Sequence, residues 1–217
     1  MKNFTALLVA ILMISVGIRY VWQIYKKEVI PTLSTWVIFL VGVALSFATY
    51  MVAENCDWKS YVLNTVDLFV VLITTIYIVK WGRRGFYFKS FEKFYFISAS
   101  MVIIVWIIFG NAHMINILSQ GLIMLGYFPT IHNLIKEKRN TESFSVWGLV
   151  FVIGTIALFP AKIGGNALAI VYAARTMFMV AVILSFMFYY EVKTAMFYYS
   201  LVMNYEIKEV VFYYKRK

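Results

Sequence analysis

Seven apolar runs, each near the length that crosses a bilayer, punctuate this chain at roughly 4–25, 33–53, 60–79, 94–109, 114–134, 144–158 and 165–190. A hydrocarbon core about 30 Å thick takes about 20 residues of helix. Backbone polar groups in lipid are satisfied only by helices or closed barrels, and runs of this length without polar alternation select helices. The remaining composition agrees: 63% of the 217 residues are hydrophobic and only 14% are charged, too few to cover a soluble domain. Sixteen Tyr and nineteen Phe suit a protein with two membrane interfaces. The first run has the look of a signal peptide. Arg19 to Trp22 offers no small-residue cleavage site, however, so it reads as a retained helix. The expected fold class is an all-α membrane protein with seven transmembrane helices.

Loop charge sets the expected orientation. With the N-terminus outside, fifteen Lys and Arg fall on the inner side: Lys26 and Lys27; Lys80, Arg83, Arg84, Lys89 and Lys93; Lys136, Lys138 and Arg139; and Lys193, Lys208, Lys215, Arg216 and Lys217. Only Lys2, Lys59 and Lys162 fall outside. Inner loops collect cations, so the split predicts N-out, C-in and an odd number of spans. It also accounts for the net charge of +10 without a nucleic-acid partner.

Two stretches repeat. Tyr20 to Trp36 reads YVWQIYKKEVIPTLSTW, and Tyr127 to Trp147 reads YFPTIHNLIKEKRNTESFSVW. Tyr20 matches Tyr127 and Ile24 matches Ile131 at an offset of 107; Ser34 matches Ser145 and Trp36 matches Trp147 at 111. The second copy therefore carries four extra residues. Each copy joins one apolar run to the next, which points to one three-helix unit used twice. Three spans leave the second unit inverted, and the fourth run turns it back. The layout expected is 3+1+3: a first repeat over 1–81, a basic loop and linker helix over 82–110, a second repeat over 111–190 and a cytosolic amphipathic tail over 191–217. Gly110 to His113 is the thinnest division between runs. The tail reads either as a helix lying on the inner leaflet or as an extension of the seventh span.

At this repeat the sequence resembles the PQ-loop superfamily and, within it, the SWEET sugar transporters. That family carries a Pro-Gln pair late in the first helix of each unit, followed by a basic turn, serines and a Trp-bearing second helix. Here Trp22-Gln23 keeps the glutamine and Pro129-Thr130 keeps the proline. The resemblance implies a multi-pass protein of the plasma membrane that moves a small polar solute, by default a sugar, by alternating access between two halves. It also implies a solute site with Trp22, Gln23, Pro129 and Thr130 near it, and it places Asn64 at the family's asparagine of the third helix. Tyr172 stands where the second half would repeat that asparagine. Pro129, in mid-helix, removes a backbone hydrogen bond and is expected to serve as a hinge.

Charge inside lipid marks function or a buried pair. Asp67 and Arg175 lie within the third and seventh runs, one repeat offset (108) apart, so they are expected to face the central path and interact. Asn116 and Gln120, four residues apart on the fifth run, share a face and are further candidates to line it. Arg19 lies close enough to a helix end to snorkel.

Several classes are excluded or left open. Cys56 is a single cysteine, and His113 and His132 stand apart, so no metal centre, cofactor or disulfide is expected. No nucleophile–base constellation points to an enzyme. A retinal protein needs a lysine in the seventh run, and 165–190 has none. A proton-coupled amino-acid carrier and a cargo receptor remain alternatives on the same fold. The expected partners are the solute and the bilayer, and a homo-oligomer is left open.

Overall fold

The computed structural model describes residues 2–29, 31–53, 59–81 and 90–215, with side chains up to 197 apart from 91 and 92. Glu54, Cys56, Asp57, Arg83, Arg84, Lys89, Arg216 and Lys217 lie outside these residues, as do the side chains of Lys208 and Lys215. Among the described residues there are eight helices and no strand: α1 Lys2–Tyr25, α2 Leu33–Ala53, α3 Val62–Trp81, α4 Ser90–Phe109, α5 Ala112–Gly126, α6 Phe128–Glu137, α7 Phe144–Ile163 and α8 Ala167–Lys215. Six spans are long and apolar enough to cross a membrane, with α5 and α6 together forming one of them; the described part of α4, Lys93–Phe109, is a shorter apolar helix.

Each span is apolar all round, and only one face is buried by protein. In α1 the buried stripe is Ala6, Val9, Met13, Val16, Tyr20 and Ile24, while Phe4, Leu7, Ile11, Ile14, Ile18 and Trp22 point outward. That is the signature of a helix whose second face meets lipid rather than water. Lipid gives little drive for helices to associate, so close packing at small residues does much of the holding. A Cβ built on Gly42 of α2 would lie 2.7 Å from Ile123 Cγ1 of α5, and one on Gly126 would lie 2.6 Å from Phe39 Cδ1. Gly42→Val is therefore expected to overpack the α2–α5 seam and cost about 1–3 kcal/mol. Thermal unfolding in detergent measures this, with Gly121→Ala as a neutral control because no atom lies within 4 Å of a Cβ there.

The helix contacts recur when α1, α2 and α3 are exchanged for α5–α6, α7 and α8. α1 lies against α3 and α7; the α5–α6 pair lies against α8 and α2; α2 packs on α3 as α7 packs on α8. The basic turns also match: α6 ends on Lys138 at φ 52, and Lys27, just past the end of α1, has φ 61. Tyr20 meets Trp36 with ring centres 5.1 Å apart, and Tyr127 meets Trp147 at 6.1 Å. α4 contacts α5 and α2 from outside, where Tyr95 donates to Ile38 O at 2.8 Å.

Two sequence boundaries resolve. Gly110 takes φ +64, and Asn111 caps α5 by accepting from Met114 N at 3.0 Å, so the thin division between the fourth and fifth runs is a true break. The fifth run, expected as one helix with Pro129 in its middle, is instead two helices. α5 stops at Gly126, and Pro129 sits in the first turn of α6. There its missing N–H costs nothing, because the first amides of a helix have no partner within it. The chain beyond Tyr190 is not a separate surface helix: α8 continues unbroken to Lys215.

Candidate functional site

A cluster of buried polar side chains lies where α2, α3 and α5 meet. Ser46 of α2 is their hub. Its hydroxyl shares a hydrogen bond with Tyr61, accepts from Asn64 Nδ2 at 3.2 Å and accepts from Gln120 Nε2 at 2.8 Å. Asn116 Nδ2 donates to Ser46 O at 2.7 Å and Thr49 Oγ1 at 3.1 Å. The i, i+4 spacing does put Asn116 and Gln120 on one face, and they bond to each other at 3.2 Å. In lipid such groups must find partners within the protein, and nearly all of these do. In and beside this cluster two atoms do not: Asn64 Oδ1 and Arg175 Nη2 are buried without a hydrogen bond.

Asp67 and Arg175 lie on this network's edge. Arg175 is 7% exposed and donates from Nε to Gln120 Oε1 at 3.2 Å. No ion pair joins it to Asp67. Tyr172 stands between them: its hydroxyl donates to Asp67 Oδ2 at 2.6 Å, and its ring lies beneath the Arg175 guanidinium, 4.5 Å from Cζ to ring centre. The interaction expected between them, direct or through water, runs instead through Tyr172 as a three-member chain. A tyrosine can bridge in this way because one end is a donor and its ring face is electron-rich. Tyr61 meets Tyr172 edge-on and stacks on Tyr50 at 3.5 Å, and Tyr50 accepts from Asn166 at 2.8 Å.

Asp67, Arg175 and Thr176 line a central cavity of about 50 Å³. Its other walls include Tyr20, Trp36, Phe39, Tyr127 and Trp147. These rings form a continuous chain from α1 to α7, with Trp36–Phe39 centres at 6.1 Å and Phe39–Tyr127 at 4.6 Å. Tyr127 is the residue at the α5–α6 break, so the broken helix carries one of the rings that close the cavity.

Beyond those rings, in the turn before α7, lies Glu142. It is 6% exposed, accepts from Tyr20 OH at 2.8 Å and from Trp147 Nε1 at 3.2 Å, and its own N–H donates to Asn140 Oδ1 at 3.1 Å. Burial pushes its carboxyl up to about 7, against the opposing pull of the two donors. Sequence reasoning missed this residue. The available signal was the four-residue insertion, which lies between Ile131 and Ser145 and so includes this turn; at the offset of 111 the first copy has Pro31 in its place.

The motif residues scatter. Trp22 is 56% exposed on the outer side of α1, away from the cavity. Gln23 Oε1 is buried without a partner. Thr130 is buried and shares a hydrogen bond with Thr35 at 2.9 Å, tying α6 to α2, while Pro129 is half-buried. None of these four lines the cavity. Among the described residues no group of acidic, His and Cys side chains is arranged to hold a metal. A larger concavity, about 980 Å³, lies between α1 and α3 on the outer surface.

No protein-family model, curated protein or solved structure matches this chain.

Proposed function

We propose that this chain is a membrane transporter of the PQ-loop type that moves a small polar solute by alternating access. In this reading the two three-helix units, 1–81 and 111–190, rock about the linker helix, with the N-terminus outside and the tail in the cytosol of a cell bounded by the plasma membrane. The observation that carries the reading is the Asp67–Tyr172–Arg175 chain, whose two charged ends line a small central cavity. Binding at the repeat interface near the midplane is where repeat-built carriers place their solutes. A cavity of about 50 Å³ holds a few waters, whereas solute sites run to about 300–1,000 Å³. The conformation is then the occluded one. Separation of the aromatic chain, with Tyr127 moving at the α5–α6 break, opens it to one side. Pro129 contributes by fixing where that break falls.

A sugar is the solute that the resemblance implies, and the amide and hydroxyl groups around Ser46 suit paired hydroxyls. A carboxylate-bearing solute such as an amino acid is the second reading, favoured by one observation. Arg175 Nη2 is a buried donor without a partner in the cavity wall, and guanidinium forks fit carboxylates in a bidentate fashion. Uptake of labelled glucose, sucrose and neutral amino acids into liposomes carrying the full chain decides between them. Sugar uptake that ignores a pH gradient supports the first reading, and amino-acid uptake driven by an inward proton gradient supports the second. If no solute enters faster than into protein-free liposomes, the transporter reading fails.

A further inference from the structure

The groove between α1 and α3 is separate from the cavity and shares only its deepest contact with it. The two helices come close where Gly17 admits Val70: a Cβ at 17 would lie 2.9 Å from Val70 Cγ1. Along the outer side of that contact they enclose about 980 Å³. The walls are apolar and aromatic with few polar exceptions. Ser15 bonds to Ile11 O at 2.8 Å and is satisfied. Thr74 is fully buried, and its hydroxyl has no partner. Arg19 is exposed on the groove wall and makes no hydrogen bond or ion pair with any described residue.

An unpaired guanidinium on a lipid-facing wall is costly, and an anion at the same depth relieves it. Two more cations stand at the same end. Lys26 lies over the Trp22 ring at 5.1 Å, and Lys80 over the Trp81 ring at 5.6 Å; both rings line the groove. An apolar trench with an unpartnered arginine and two lysines at its end matches an anionic head carried on hydrocarbon chains. A second copy of the chain fits less well. Within the described apolar runs the one carboxylate is Asp67, and Tyr172 already holds it in the centre, so a copy brings no anion to Arg19.

We propose that the α1–α3 groove binds an anionic glycerophospholipid, with its acyl chain along the trench and its phosphate at Arg19, Lys26 and Lys80. The site is independent of what the central cavity transports. The test uses the full chain in detergent, titrated with phosphatidylglycerol or phosphatidylcholine of identical chains, with bound lipids counted by native mass spectrometry. Each cation near an anionic surface contributes about fivefold in affinity. Phosphatidylglycerol is therefore expected to bind at least about fivefold tighter than phosphatidylcholine, and Arg19→Gln is expected to remove about that factor. Ile73→Trp, which fills the groove from an exposed position without touching charge, is expected to displace both lipids. Equal binding of the two lipids overturns the proposal, as does phosphatidylglycerol binding unchanged by Arg19→Gln. Competition by glycerol phosphate lacking chains at the same concentration overturns it too, because then the trench plays no part. A dimer that forms without lipid and is broken by Ile73→Trp overturns it in favour of a second copy.

Discussion

Replacing Arg175 with glutamine is expected to cost this protein about 3 kcal/mol or more and to abolish the proposed transport. The guanidinium rests on Tyr172 and bonds to Gln120 Oε1, so its loss leaves the half-buried Asp67 carboxylate without a nearby cation and weakens the link to the Ser46 cluster. Removing one of two opposite charges that share a low-dielectric site is among the more damaging single changes because the other is left uncompensated. Asp67→Asn in the same chain removes that charge, and the double variant is expected to recover part of the stability. Because the coupling passes through a ring and a hydroxyl, Tyr172→Phe is expected to reduce it even though both charges remain. A double-mutant cycle on thermal stability reads the coupling directly. Simple additivity of Asp67→Asn and Arg175→Gln would show that the three residues do not act together.

The second large effect concerns pH. Glu142 has a folded carboxyl at about 7, above its usual value of 4.5, with burial as the leading cause. The folded state therefore binds this proton more tightly than the unfolded chain does. Its contribution is fully present below about pH 4.5 and is lost as pH rises through 7. A shift of this size corresponds to about 3 kcal/mol across that window. Glu142→Gln, which keeps the shape and an oxygen acceptor, is expected to flatten the decline. Melting temperatures of both proteins between pH 4.5 and 8 measure it. Parallel curves for the two proteins would mean that Glu142 is not the titrating group. If the same contacts break when the cavity opens toward this turn, opening releases a proton there, and flux through the wild type but not the variant then rises over the same window.

Much of the scaffold could be read from the chain because hydropathy in lipid leaves few choices. The run over 33–53 became α2 Leu33–Ala53, and α1 ends at Tyr25 as its run does. Gly110 to His113 was legible as a thin division between runs, and the chain does break there. Helical phase did put Asn116 and Gln120 on one face, although neither lines the cavity that Asp67 and Arg175 wall. The site was missed where phase was ignored. Trp22 follows Tyr20 by two residues, about 200° around a helix, so the burial of one predicts the exposure of the other. Pro129 was read as a mid-helix kink because propensity says only that a helix is disturbed near it, not on which side the break falls. Ser46 gave no signal at all. A lone serine in an apolar run usually bonds back to its own helix, and only the approach of α3 and α5 made it a hub. Glu142 looked like an ordinary loop acid until α1 and α7 closed over it.

The unbroken course of α8 gives the second half a long arm. Its 49 residues run about 74 Å, against a hydrocarbon core of about 30 Å. The 25 residues from 191 to 215 therefore project about 37 Å beyond the span that carries Tyr172 and Arg175. A rigid rod amplifies angle into distance. A tilt of about 10° at the level of Arg175, about 60 Å from the far end, would sweep that end through about 10 Å, and anything that grips the far end pulls back on Arg175 with the same leverage.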